Sequence, residues 1–233
     1  MSLARVVLCT IQALCNGAAC TPPNPTPPNQ RYHKEQLYIL QIAPFIFKMH
    51  QIITWGCAVF EVLYYLRSVL PFNSPAPAIT NLVCLPQNHN VHVTPFFVIG
   101  VIAVVLGAYI RLDCFKTLGQ LFTFDLTVHP EHRLVTNRFY AYVRHPAYTG
   151  SMLLVMGLAF SHLTQGSWMT ECGPLRIGSP FSAVVVWAIW WLWTFCVGIS
   201  RADAEDKQMK KLFKDEWEAY AANVHWWFFP GLV

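Results

Sequence analysis

Charged side chains are scarce in this sequence. Asp, Glu, Lys and Arg together account for 12% of its 233 residues, whereas 55% are hydrophobic, and residues 71–94 carry none of the four. An average soluble domain has about 25% charged residues, and a formal net charge of +4 is too small to indicate a nucleic-acid surface. The composition therefore excludes an ordinary soluble domain and a nucleic-acid partner, and it indicates an integral membrane protein.

Common ligand-binding fingerprints are also missing. The sequence contains neither a P-loop nor a dinucleotide-binding glycine pattern. Two histidine pairs, His89 with His92 and His129 with His132, have a three-residue separation that suits zinc on a helix, but neither pair has an evident third ligand. We therefore predict that the protein has no metal site.

The eight cysteines lack the paired CxxC spacing of zinc or redox sites, and most lie within or beside apolar runs. We interpret them as small hydrophobic residues. Cys84 and Cys172 fall in loops that can face an oxidising lumen, so a disulfide between these two residues remains an open alternative.

The apolar residues are concentrated in blocks of membrane-spanning length. They predict an all-α, polytopic integral membrane protein with about five transmembrane helices. The chain divides into membrane helices and loops over residues 1–110 and a functional core over residues 111–233. The five predicted spans are residues 3–20, 50–66, 95–110, 147–163 and 181–200.

Two of these segments allow alternatives. Residues 3–20 end in small residues, as a cleaved signal peptide would, but the stiff proline-rich linker at 21–28 equally suits the separation of two spans, and we favour a retained span. Residues 36–66 are interrupted by Pro44 and several charged groups. They therefore form either one kinked span or an interfacial segment followed by a span.

Basic residues predict the orientation in the membrane. Five Lys or Arg residues lie between positions 111 and 144, and five more follow Ser200. Loops rich in Lys and Arg face the cytoplasm, so the uncharged loop at 71–94 is predicted to face the opposite side. Residues 201–223 contain neither Gly nor Pro and place apolar side chains at helical spacing, which predicts a cytoplasmic amphipathic helix that continues the fifth span.

A polar stretch, HRLVTNRFYAYVRHPAYTG at residues 132–150, precedes the fourth predicted span. Pro146 fixes its own backbone and biases His145 away from helix, so a helix is predicted to start at Pro146 with His145 at its mouth. The unpaired amides of a helix start attract anions, and nearby basic and phenolic side chains suit a small charged ligand. The alternative is an ordinary juxtamembrane loop, where basic residues and tyrosines gather for topological reasons.

Arg201 and Glu205 are one helical turn apart at the predicted membrane border, so they share one face of a helix. Such a pair, facing a loop rich in His and Tyr, suits the binding of an anion beside a cation. Taken alone, this spacing is more often a solvated surface pair.

The motifs occur together in an order that resembles one family. H-x-L-V-T, Tyr140, R-H-P-x-Y-x-G, R-x-x-x-E and a closing E-x-Y and P follow one another between about residues 118 and 231. This ordered combination resembles the isoprenylcysteine carboxyl methyltransferase and phospholipid methyltransferase family, which transfers the methyl group of S-adenosylmethionine to a lipid-borne acceptor. The resemblance covers about half of the chain, and the first half shows only membrane spans.

The resemblance implies a role for individual residues. Arg201 is expected to face the acceptor, the terminal carboxylate of a prenylated cysteine that enters from lipid, and Glu205 is expected to act beside it and to hold the cofactor. The expected location is the endoplasmic reticulum membrane, with the site facing the cytosol. The alternatives are a phospholipid N-methyltransferase and a catalytically silent scaffold of the same fold. The other expected cofactor-binding residues are His132, Arg133, Leu134, Val135, Tyr140, His145, Pro146, Ala147 and Tyr148.

The sequence departs from the family pattern at two glycine positions. The usual G-P before the tyrosine is Arg138-Phe139 here, so this turn must be made without glycine, and the usual F-G before E-x-Y is Phe213-Lys214. The acidic run after Arg201 is also thinned. These changes bear on substrate preference and leave the expected site residues intact.

Overall fold

The structure is a computed structural model that describes residues 1–26, 42–69, 90–128, 130–176 and 180–232. Within these ranges the chain forms seven α-helices and three short 3₁₀ turns, which confirms the predicted all-α class. The helices are α1 (Leu3–Ala19), α2 (Ala43–Val69), α3 (Pro95–Leu118), α4 (Pro146–His162), α5 (Trp168–Glu171), α6 (Pro180–Phe213) and α7 (Asp215–Asn223).

A helix occupies each of the five predicted spans. Three segments are long and apolar enough to cross a membrane, namely Pro44–Val69, Pro95–Leu121 and Ala183–Phe213. α1 and α4 have 17 residues each, which is the lower limit for a span. The chain is thus an integral membrane protein, and the count of five spans stays a prediction.

The first helix carries its polar residues inward. Arg5, Gln12 and Asn16 are at most 1% exposed, whereas Leu3 and Leu14 on the other side of α1 are more than half exposed. A helix in a water-soluble protein has the opposite pattern. Polar groups that face the protein interior, with apolar groups outward, are typical of helices surrounded by lipid.

The chain forms two compact units, each assembled from three segments. Unit 1 comprises Met1–Gly17, Met49–Val105 and Leu153–Leu192, and unit 2 comprises Ala18–Lys48, Leu106–Met152 and Trp193–Val233. The domain boundary that we predict at residue 110 stays a prediction. The functional residues expected from the sequence all belong to unit 2.

A buried ion pair lies at the centre of unit 1. Arg5 donates from Nε to Glu61 Oε2 at 2.9 Å and from Nη2 to Oε1 at 2.8 Å, and its Nη1 donates to the carbonyl of His92 at 2.7 Å. Ligand atoms of Cys9, Glu61 and His162 lie within 4.8 Å of one another. Because the Arg5 guanidinium already neutralises the carboxylate, a metal cation would meet positive charge there. We interpret the cluster as an internal ion pair that fixes α1 against α2.

Cys172 is disulfide-bonded, which agrees with the alternative of a disulfide between the loops of Cys84 and Cys172. Its predicted partner Cys84 lies outside the described residues, as do His89 and His129. Six other cysteines are free thiols, in agreement with their interpretation as small hydrophobic residues.

Glycines let the backbones of α3 and α4 come close in both units. In unit 1, a Cβ on Gly157 would lie 2.6 Å from the carbonyl oxygen of Gly100; in unit 2, a Cβ on Gly150 would lie 2.7 Å from that of Gly107. Neither distance is possible for a real side chain, so these positions require glycine. The contact in unit 2 holds α3 against the first turn of α4, where the expected site begins.

The third helix is longer than its apolar run. We expected it to end at residue 110 because Arg111 and Asp113 follow, but α3 continues to Leu118. Both charges are satisfied inside the protein, since Arg111 donates to the backbone carbonyl of Ala147 and Asp113 accepts from Arg138. Charged residues with such partners do not end a helix, so the predicted boundary was wrong.

The predicted C-terminal helix is broken. α6 carries the fifth span through Arg201 as expected, but it ends at Phe213, and α7 begins at Asp215. Lys214 between them has φ of 45°, in the region that favours glycine. The break lets Trp217 and Tyr220 of α7 bury their rings in one core cluster with Val224.

We predict that Lys214→Gly stabilises the protein. A positive φ costs a residue with a Cβ about 1 kcal/mol or more, and the Lys214 side chain is exposed. The midpoint of thermal unfolding in detergent is expected to rise by the equivalent of about 1 kcal/mol. Lys214→Ala, which keeps the Cβ, is the control; an equal gain from this variant would show that backbone strain is not the cause.

Candidate active site

Unit 2 contains a cavity of about 170 Å³, lined by the C-terminal part of α3, residues between 121 and 145, the first turn of α4 and helices α6 and α7. One water molecule needs only about 10–15 Å³ of such space, so the cavity is large enough for a small-molecule ligand. Ten of the eleven residues expected from the sequence line it. They are His132, Arg133, Leu134, Val135, Tyr140, His145, Ala147, Tyr148, Arg201 and Glu205.

Pro146 is the expected residue that does not line the cavity. It is fully buried and begins α4, as its fixed backbone predicts. The expectation of unpaired amides at this helix start was wrong for Tyr148 and Thr149, whose amides donate to the carbonyl of His145 at 3.1 and 3.3 Å. Just before the helix, the amides of Arg144 and His145 donate to the carbonyls of Trp226 and Trp227, each at 2.9 Å, so the C-terminal segment takes these two donors.

His145 joins two consecutive carboxylates of α6. Its Nδ1 lies 3.1 Å from Glu205 Oε2 and its Nε2 lies 2.7 Å from Asp206 Oδ1. Burial lowers the pKa of His145, but hydrogen bonds to Asp206 and Glu205 and their negative charges outweigh it and raise the pKa to about 9. The imidazole is therefore protonated at neutral pH and donates from both nitrogens.

The carboxylates of Glu205 and Asp206 differ in their hydrogen-bond partners and in whether they face the cavity. Asp206 also accepts from Arg144 Nη1 at 3.0 Å and from Trp227 Nε1 at 3.0 Å, so both of its oxygens are engaged by protein groups. Glu205 accepts from the Tyr148 hydroxyl at 2.5 Å, and its side chain is 30% exposed. Glu205 is thus the carboxylate of this pair that faces the cavity.

Tyr140 is held at both ends. Its hydroxyl lies close to the thiol of Cys114, and its carbonyl accepts from the Tyr220 hydroxyl at 2.7 Å. Burial, together with the neighbouring Cys114, raises the pKa of the Tyr140 hydroxyl well above its ordinary value. The ring therefore lines the cavity as a neutral group.

Arg201 is buried and is not a solvated surface pair with Glu205. It is 5% exposed, and its Nη1 donates to the carbonyl of Phe124 at 2.5 Å. Its Nε is buried without a hydrogen-bond partner in the described chain. Both Arg201 and Glu205 line the cavity, so the shared helix face points at a ligand-sized space.

Arg111 is a cavity residue that sequence reasoning missed. It was interpreted as the end of the third span, yet it is 3% exposed and lines the cavity from α3. The available signal was an arginine directly after a long apolar run, because ionisable groups at membrane depth are usually functional.

Arg138 makes its turn with a strained backbone. Its φ is 56°, and it and Lys214 are the non-glycine residues with positive φ in the described part of the chain. Both stand where the family pattern has glycine. Arg138 Nε donates to Asp113 Oδ2 at 3.0 Å, and a second guanidinium nitrogen pairs with Oδ1. This ion pair to α3 holds the turn that presents Tyr140 to the cavity.

A helical chain with exposed apolar surfaces and a cavity lined by buried charged residues fits an integral membrane protein with a candidate ligand site. Residues 98–211 match the model of the isoprenylcysteine carboxyl methyltransferase (ICMT) family. The resemblance seen in the motifs is thus confirmed over this part of the chain.

Curated relatives agree with the family match. A "Probable protein-S-isoprenylcysteine O-methyltransferase" of Oryza sativa subsp. japonica is 30% identical over 129 residues, which are 54% of this chain and 58% of the relative. "Protein-S-isoprenylcysteine O-methyltransferase B" of Arabidopsis thaliana is 29% identical over 127 residues, 54% of this chain and 55% of the relative. The Schizosaccharomyces pombe protein-S-isoprenylcysteine O-methyltransferase is 29% identical over 121 residues, which are 51% of this chain and 43% of the relative. The chain spans about half the length of the curated relatives it matches.

We predict that the stability of the protein falls as the pH rises through about 9. The folded pKa of His145 lies above its ordinary value of 6.5, so its contribution is complete below about pH 6.5 and is lost as the folded imidazolium deprotonates. The thermal unfolding midpoint, measured between about pH 6 and 10, is expected to decline in this window. His145→Gln is the matched control, and an identical decline in that variant would assign the effect to another group.

Proposed function

We propose that this chain transfers the methyl group of S-adenosylmethionine to the C-terminal carboxylate of a prenylated cysteine. The observation that carries the proposal is the gathering of Arg201 and Glu205 with the HxLVT and RHPxY motifs around one cavity. The relatives' names supply the substrate class, since each is called a protein-S-isoprenylcysteine O-methyltransferase.

The cavity has the groups that this cofactor needs. Glu205 presents a carboxylate to the space, which suits the sulfonium and ammonium cations. Tyr148 and Trp217 add aromatic rings, whose faces attract cations. When bound, S-adenosylmethionine supplies an electrophilic methyl group. We assign its binding to Glu205, to residues 132–135, and to Ala147 and Tyr148.

His145 acts through its neighbours in this scheme. Both of its ring nitrogens are taken by Glu205 and Asp206, so it is a positioning residue that fixes the direction of the Glu205 carboxylate. Tyr148 fixes the other oxygen of Glu205. A carboxylate oriented in advance avoids reorganisation when a cation is bound.

Arg201 suits the acceptor. Its charge is buried and its Nε lacks a partner among the described residues, so an incoming carboxylate would find an unused donor. A carboxylate is already ionised at neutral pH, and methyl transfer to its oxygen releases no proton. No general base is required, and the rate comes from alignment and from excluding water around the attacking oxygen.

The membrane setting fits a lipid-borne acceptor. Apolar side chains of α3 such as Phe96, Ile102 and Tyr109 are more than half exposed, as expected of a surface in lipid. A prenyl chain would approach through lipid, while the polar cofactor would come from the side that carries the basic loops. We infer the cytosolic side of the endoplasmic reticulum membrane.

The first test is methyl transfer by the purified protein in lipid. Radiolabelled S-adenosylmethionine is supplied with N-acetyl-S-farnesylcysteine, and phosphatidylethanolamine is offered in a parallel reaction. We expect label in the farnesyl compound that mild base releases, as it would from a methyl ester. Label in the phospholipid alone would indicate an amine methyltransferase, and the absence of label and of cofactor binding would indicate a silent scaffold.

Two variants separate the assigned roles. Arg201→Ala is expected to lower turnover about 100-fold while the affinity for S-adenosylhomocysteine is kept, because the acceptor clamp alone is lost. Glu205→Gln is expected to weaken that affinity, because the carboxylate charge is lost. Lys207→Ala, which removes an exposed side chain paired with Asp203, is the control and should change neither. Equal cofactor affinity in all three variants would contradict the assignment.

A further inference from the structure

Arg111 enters the cavity with part of its guanidinium unused. Nε donates to the carbonyl of Ala19 at 2.8 Å, and Nη1 donates to the carbonyl of Ala147 at 3.1 Å and to Ser151 Oγ at 2.6 Å. Nη2 has no hydrogen-bond partner among the described residues. The three bonds fix the side chain from one side, and the remaining nitrogen is available to a ligand.

The charge of Arg111 has no carboxylate partner in the described part of the chain. Its guanidinium carbon instead lies 5.0, 5.5 and 5.2 Å from the ring centres of Phe47, Phe115 and Phe124. Aromatic faces and carbonyls stabilise a cation but do not cancel its charge. A buried, uncancelled charge is costly, so an anion bound in the cavity would be stabilised there.

Arg201 is a second cation in the same situation. It donates to the carbonyl of Phe124, the residue whose ring contacts Arg111, so the two guanidinium groups flank one residue. Both arginines are at least 95% buried and both line the cavity. The Glu205 carboxylate, which also lines it, is already bound by His145 and Tyr148.

We infer that Arg111 and Arg201 together bind one carboxylate, and that Arg111 is a second carboxylate-binding residue of the site. The inference rests on the proposed function, in which that carboxylate belongs to the methyl acceptor. Two guanidinium groups can serve both oxygens of a carboxylate, which a single arginine with a blocked Nη1 cannot do as well. The methyl ester product carries no charge and loses this attraction, which favours its release.

The test compares two ligands that differ in one group, which is a charged carboxylate in the first and an uncharged carboxamide in the second. Binding of N-acetyl-S-farnesylcysteine and of its carboxamide to the purified protein is measured by calorimetry in the presence of S-adenosylhomocysteine. The wild-type protein is expected to prefer the carboxylate at least tenfold. Arg111→Gln is expected to reduce this preference about tenfold, with little change in the affinity for the carboxamide.

A purely structural role for Arg111 gives a different result. It predicts that Arg111→Gln weakens both ligands equally, and that outcome would overturn the inference. Lys207→Ala is the control, because it removes an exposed cation that is paired with Asp203 and does not line the cavity; the preference should stay at the wild-type value. Arg111→Lys keeps the positive charge but loses the paired N–H donors of the guanidinium group. It is used if Arg111→Gln does not fold. Its preference is expected to be reduced, and an unchanged preference would also overturn the inference.

A second ligand pair distinguishes the acceptor from the cofactor. S-adenosylhomocysteine and its decarboxylated analogue are compared in the same variants. If Arg111→Gln instead reduces the difference in affinity between S-adenosylhomocysteine and its decarboxylated analogue, Arg111 binds the carboxylate of the cofactor. The assignment of Arg111 to the acceptor is then overturned. If the wild-type protein transfers methyl groups and Arg111→Gln keeps the wild-type preference for the carboxylate over the carboxamide, this inference alone is overturned. If the wild-type protein neither transfers methyl groups nor binds the ligands, the proposed function is overturned.

Discussion

The protonated side chain of His145 links the segments that line the cavity. His145 lies at the start of α4 and binds the adjacent carboxylates of Glu205 and Asp206 on α6, while its amide and that of Arg144 bind the C-terminal segment. Two stretches of chain that lie 60 or more residues beyond His145 thus meet at this residue. The direction of the Glu205 carboxylate, and with it the polarity of the cavity, depends on this bridge.

Buried charges in this protein fall into two kinds. Arg5 and Glu61 in unit 1 neutralise each other through two hydrogen bonds, and so they act as structure. Arg111 and Arg201 in unit 2 are also buried, but their hydrogen-bond acceptors among the described residues are uncharged, namely carbonyl groups and the Ser151 hydroxyl. A charge that the fold buries and does not cancel is a cost unless a ligand offsets it, so this contrast supports the binding role that we propose for the two arginines.

Arg138 and Lys214 stand where the family pattern has glycine, and in the described part of the chain they are the two non-glycine residues with positive φ. The backbone path has therefore been kept although the residue that suits it has been replaced. Arg138 offsets part of the strain with its ion pair to Asp113, whereas the Lys214 side chain is exposed. Both turns present aromatic residues to the cavity, Tyr140 after the first and Trp217 after the second.

The sequence by itself determined the helices, because apolar runs of spanning length form them locally, and it determined most of the cavity lining, because ordered motifs carried the family. The tertiary structure decided what depends on contacts between distant segments. It extended α3 past Arg111, broke the last helix at Lys214, and gave the amides near His145 to the C-terminal segment. Only packing decides whether an arginine at the end of an apolar run meets water, a carbonyl or a cavity, since no local pattern encodes its partners.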